Sequence, residues 1–93
     1  MTSRQFSTLK SLSVAFARVT IMINKYRGTG TFREDEMDGL YAEEEIIREA
    51  LARYAMLVTG GEKFIAIEDS WDVYANGQLI YNGCGSDIGA FGE

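Results

Sequence analysis

Histidine and proline are both missing from this 93-residue chain, cysteine occurs once, and the first 33 residues contain no acid. Without histidine there is no Ser-His-Asp triad, no Cys-His dyad and no ordinary zinc site. Without proline, the ten glycines and the polar clusters have to do the turning. The lone Cys84 cannot close an internal disulfide, which fits a reducing compartment, and its neighbours Gly83 and Gly85 offer no base or cation to activate it. Arg18, Asn24 and Arg53 interrupt the longest apolar stretches, well short of the roughly 20 residues that a bilayer span needs. The N-terminus lacks an apolar block followed by a small-residue cleavage site, so no secretory leader is expected. Neither a G-x-x-x-x-G-K-[ST] loop nor a G-x-G-x-x-G fingerprint is present. The expectation is a cytoplasmic, non-enzymatic protein that needs no cofactor and no membrane.

What the chain does have is charge sorted by position. Residues 1–33 carry six cations, whereas residues 34–93 carry three cations and all fourteen acids, for a net charge of −5. Eight of those acids lie between Glu34 and Glu49, which makes this stretch the strongest electrostatic feature of the chain. With 46% apolar residues, 93 residues suffice for one small core, so a single domain is expected over 1–93.

Hydrophobic spacing predicts an α+β fold. Leu9, Leu12, Phe16, Val19, Ile23 and Tyr26 recur at three- and four-residue steps, giving a helix over about 4–26 with Thr2 or Ser3 as its cap and Gly28 as its stop. The competing reading is a sheet-first β-α-β arrangement, because the β-branched run Val19–Ile23 also suits a strand over 14–26. Residues 28–42 read as a polar connection anchored by Phe32, Met37, Leu40 and Tyr41. A second helix is predicted over 43–58, burying Ile46, Ile47, Ala50, Leu51, Tyr54, Leu57 and Val58, with Glu44–Arg48 and Glu49–Arg53 as i,i+4 pairs. Gly60-Gly61 stops it. A small antiparallel sheet follows over 63–82, built on a hairpin at Asn76-Gly77 that would pair Ala75 with Gln78, Val73 with Ile80 and Trp71 with Asn82. Both hairpin faces are largely apolar, so either a helix covers each face or one face meets a partner. Residues 83–93 read as a loose tail.

Three chemistries compete for the acidic stretch. Glu34, Glu36, Asp38, Gly39 and Glu45 fall at positions 1, 3, 5, 6 and 12 of a loop that resembles the EF-hand family, which implies a calcium site. Glutamate at positions 1 and 3, a broken incoming helix and the lack of a second loop all depart from that pattern. An acidic linker entering a helix explains the same residues, since a helix N-terminus favours acids. The third use is docking: a dense negative surface attracts a basic groove on another protein with fast, salt-sensitive association. The residues expected to make that contact are Glu34, Asp35, Glu36, Asp38, Tyr41, Glu44 and Glu45, with Trp71, Tyr74 and Tyr81 as aromatic anchors.

In size, acidity and lack of catalytic groups the chain resembles, in type alone, the small inhibitors of host defence carried by phages and mobile elements, such as anti-CRISPR proteins. That likeness implies a binding protein which occupies a surface of a larger partner. The alternative is a homo-oligomeric subunit that buries the spare hairpin face or edge against its own copy. Direct nucleic-acid binding has only Arg4, Lys10, Arg18, Lys25, Arg27 and Arg33 behind it, unclustered in a chain of pI about 4.7.

Overall fold

A reciprocal capping box opens the first helix. The Gln5 N–H donates to Thr2 Oγ1 (3.1 Å) and the Thr2 N–H donates to Gln5 Oε1 (2.9 Å), so two otherwise orphaned donors are satisfied. From there α1 runs over Ser3–Thr29. The computed structural model describes residues 1–29, 34–85, 87 and 88, with backbone alone at 29, 34, 35, 87 and 88. Leu9, Phe16, Val19 and Ile23 are buried along one stripe of α1, flanked by Leu12 and Tyr26. The sheet-first alternative is therefore overturned, since 14–26 is helical throughout. The β-branched run tolerates the helix because Val19 and Ile23 gain burial there, and the Thr20 hydroxyl bonds back to the Phe16 carbonyl (2.7 Å). The helix also passes through Gly28, the expected stop.

The second helix, α2, spans Glu34–Thr59 and starts nine residues before the expected Glu43. Most of the predicted connection is thus helical. Gly39 costs a helix interior about 1 kcal/mol, but Met37 is buried with Val19 and Ile23, and Leu40 packs against them. Glu36, exposed in the first turn, adds a favourable interaction with the helix N-terminus. Phe32 lies outside the described residues, and Tyr41 is exposed. At the other end Gly60 takes a φ of 75°, and the N–H groups of Gly60 and Gly61 both donate to the Met56 carbonyl (2.9 and 3.1 Å). A Cβ on Gly61 would stand 2.1 Å from Val73 Cγ1, so only glycine lets the chain pass this close to the sheet.

Four antiparallel strands follow as a meander: β1 (Lys63–Ile67), β2 (Ser70–Ala75), β3 (Gln78–Cys84) and the short β4 (Asp87–Ile88), in the order β1-β2-β3-β4. Asn76 and Gly77 both have positive φ (54° and 74°), the geometry of the two-residue turn that Asn-Gly signals. Ala75 pairs with Gln78 as expected, but then the register slips: Tyr74 faces Leu79, Val73 faces Tyr81 and Trp71 faces Gly83. Ile80 is the extra residue of a bulge, so Val73–Ile80 and Trp71–Asn82 do not pair. A one-residue slip exchanges faces, and here it turns Tyr81 into the core, stacked on Trp71 with ring centroids 5.8 Å apart. Phe64 stacks on the other side of Trp71 at 5.7 Å. The expected loose tail instead extends β3 through Cys84 and adds β4; positions 86 and 89–93 lie outside the described residues.

Both helices pack on the same face of the sheet, as Leu9 and Phe16 of α1 share one buried cluster with Leu51 and Ala55 of α2 and Trp71, Val73 and Tyr81 of the sheet. Ser13, fully buried, locks the layers together: the Trp71 indole N–H donates to its hydroxyl (2.9 Å), which in turn donates to the Gly85 carbonyl. Helices of 27 and 26 residues extend roughly 40 Å, whereas the longest strand extends about 23 Å. The helical pair therefore overhangs the sheet, and Val19, Ile23 and Met37 form a second cluster in the overhang.

Candidate functional site

At about 100° per residue, α2 sorts its acids into arcs. Asp38, Glu45 and Glu49 fall within about 40° of one another and all three are exposed. Beside this acidic ridge runs a second exposed arc, made of Gly39, Ala42, Ile46, Ala50, Arg53 and Leu57. Glu43, also exposed, borders it on the far side. Ile46 and Leu57 were expected in the core, yet they are 69% and 76% exposed. The buried arc of α2 is centred instead on Met37, Leu51 and Ala55, rotated away from the expected one. The small Ala55 is buried beside Leu51 where α2 meets the other layers, and its size hides it from a hydrophobic pattern.

The expected contact residues separate into groups. Glu36, Asp38, Tyr41 and Glu45 are exposed on α2, with Glu34 and Asp35 in its first turn. The Tyr41 ring lies under the Arg27 guanidinium of α1, 5.7 Å away. Glu44 is largely covered and pairs with Arg48 at 3.6 Å, as its spacing predicts; among the described residues Glu49 and Arg53 form no ion pair. Trp71 and Tyr81 are 1% and 2% exposed, so both belong to the core and neither is a surface anchor. Tyr74 sits on the opposite side of the sheet from the helices, beside a cavity of about 450 Å³ lined by Ile65, Ala75 and Asn76 among others. The acids and Tyr41 thus share one helix, while Tyr74 faces elsewhere.

Helical geometry also removes the calcium loop. All of positions 34–45 lie in α2, where Glu36 and Asp38 project about 200° apart and cannot converge on one ion. Among the described residues no group of three or more ligating side chains is gathered for a metal. Cys84 is exposed with its Sγ 3.8 Å from Asp69 Oδ2, an acidic neighbour rather than the cation or imidazole that reactive thiols use. The α1 cations Arg4, Lys10, Arg18 and Lys25 are exposed, and among the described residues no ion pair joins α1 to α2. Among the described residues the cations of α1 and the acids of α2 are therefore presented to solvent rather than paired with each other. By length and composition α1 also meets the requirement for a membrane span; in this fold its stripe is buried by α2 and the sheet.

A second feature adjoins the acidic ridge. Between α2 and the sheet edge lies a groove of about 490 Å³, lined by Arg48, Glu49, Ala52 and Met56 on one side and Lys63, Phe64 and Ala66 on the other, with Glu62 at its end. Among the described residues β1 is paired with β2 alone and forms an edge of the sheet. No family model, curated protein or solved structure matches this chain. Geometry and charge are therefore the guides to its function.

Proposed function

We propose that this chain is a small, non-enzymatic binding protein that docks through the outward side of α2 onto a basic surface of a larger protein. One observation carries the reading: an exposed apolar seam at Ile46 and Leu57 is bordered by exposed Asp38, Glu45 and Glu49 on one side and Glu43 on the other. Apolar centre and charged border are the anatomy of a docking patch, with the charges steering approach and the seam holding the complex. By occupying a basic groove such a protein blocks it, which is how an inhibitor of the anti-CRISPR kind would act. Affinity capture with the wild type and with an Asp38→Lys, Glu45→Lys, Glu49→Lys variant, at low and moderate salt, tests it. A partner retained equally by the reversed-charge variant defeats the reading.

A second reading has its own support. Because both helices share one face of the sheet, Ile65, Tyr74 and Leu79 on the other face have no covering layer among the described residues, and Ile67 is 70% exposed. Self-association through that face makes the chain a homo-oligomeric subunit. Sedimentation as a monomer at tens of micromolar eliminates it.

A further inference from the structure

We infer that the groove between α2 and β1 takes an extended, basic segment of the partner as an added fifth strand. This rests on the docking reading above and specifies what the partner presents. The two-residue turn at Glu68-Asp69 makes Ile67 and Ser70 a hydrogen-bonding pair, and parity then makes Ile65–Asp72 and Lys63–Tyr74 the next two. The Glu62 N–H also donates to the Tyr74 carbonyl (2.8 Å), consistent with that phase. Phe64 and Ala66 are left with their N–H and C=O groups directed away from β2, along the open edge. Both residues line the groove.

The groove exists because alanine stands on both walls, Ala52 on α2 and Ala66 on β1. Larger side chains there would fill the space that a fifth strand's inward residues occupy. Met56 and Phe64 supply an apolar floor, and five residues of β1 offer about 16 Å of edge. Charge selects the occupant. Among the described residues Glu49 forms no ion pair, Arg48 is engaged by Glu44, Glu62 accepts the Asn76 N–H (2.6 Å) and stands as an anion at the groove's end, and Lys63 is the groove's remaining cation. On α2 the same exposed arc continues through Glu45 to Asp38, so an incoming chain meets an acidic ridge leading into the groove. Strand addition of this kind takes affinity from main-chain bonds and specificity from alternate side chains. In an alternating sequence the apolar residues face the Met56–Phe64 floor, and the basic residues between them, on the other face, reach round to the acidic rim through their long stems.

A lysine–valine alternating peptide, about nine residues long to overspan β1, serves as the probe against the isotope-labelled full chain. Expected are amide shifts centred on Phe64, Ala66 and residues 48–56, with slowed exchange at the Phe64 and Ala66 amides. Ala66→Pro removes an outward donor without breaking the β1–β2 ladder, as proline is tolerated where an edge N–H faces solvent. Ala52→Trp plugs the groove from the helix side and leaves the strand untouched. Each variant, with its melting temperature retained, weakens peptide binding by about tenfold or more. Shifts confined to Ile46 and Leu57, with both variants binding normally, overturn strand addition and leave docking by α2 intact. No binding at millimolar peptide overturns strand addition too, while the capture experiment judges docking separately. Concentration-dependent protection of the Phe64 and Ala66 amides without peptide also overturns it, because a second copy then holds the edge.

Discussion

The half of the molecule backed by the sheet and the overhanging helical arm are built from the same two helices, yet they are stabilised differently. Over the sheet, Leu9, Phe16, Leu51 and Ala55 meet a stack of three rings, Phe64, Trp71 and Tyr81, and the Ser13 hydroxyl ties three segments together. In the arm, Val19, Ile23 and Met37 pack with one another and with their half-buried neighbours Tyr26, Leu40 and Ile47. The densest acids, from Glu34 to Glu45, belong to the arm. A two-helix arm has solvent around most of its circumference, so it presents charge in many directions at the cost of burial. Dense packing and dense acidic charge are thus divided along the length of the helices rather than between elements.

The comparison can be broken or sharpened in five ways. Trp71→Ala removes the centre of the ring stack and the indole donor to Ser13, and should cost about 3–5 kcal/mol in urea unfolding; a loss near 1 kcal/mol would show that the sheet-backed half is not the main store of stability. Ile23→Ala in the arm should cost about 2 kcal/mol, the low end for such truncations, because a pair of helices without a third layer can close on the gap. A larger loss than for Trp71→Ala would invert the comparison. Thr2→Ala breaks one arm of the capping box and should cost about 1 kcal/mol, read from the same urea curves.

The smallest effect on stability sharpens the functional side. Ile46→Ser with Leu57→Ser should leave unfolding within about 0.5 kcal/mol of wild type, since neither side chain is buried, while removing the captured partner. Large destabilisation by that pair would place the seam in the core. Native-state hydrogen exchange offers a further check on the division: amides of α1 and α2 in the arm should exchange faster than those of β2 and β3. Equal protection would mean the helices open as single units.

Several elements were legible because their signals are local. Thr2 caps α1 through its own hydroxyl, Asn76-Gly77 takes positive φ with little strain, and Gly60-Gly61 ends α2 wherever the helix began. The Glu44–Arg48 pair follows from one helical turn. The stripe from Leu9 to Tyr26 identified α1 and the layer it buries. The candidate site was legible as an acidic density at 34–49, and misread in its aromatic part: Trp71 and Tyr81 carry the same letters whether they anchor a partner or fill a core.

The sequence by itself determined the order of elements, the turns, and the opposition of a cationic first helix to an acidic second one, because each depends on neighbours within a few residues. Tertiary structure alone decided the rest. It extended α2 back to Glu34 because Met37 and Leu40 find burial against α1, and it placed the bulge at Ile80 because Tyr81 stacks on Trp71. It also put both helices on one face of the sheet, which exposes Ile46, Leu57 and the edge of β1. Those outcomes turn on which distant surfaces exclude water from each other, and the spacing within one element does not say which other element will cover it.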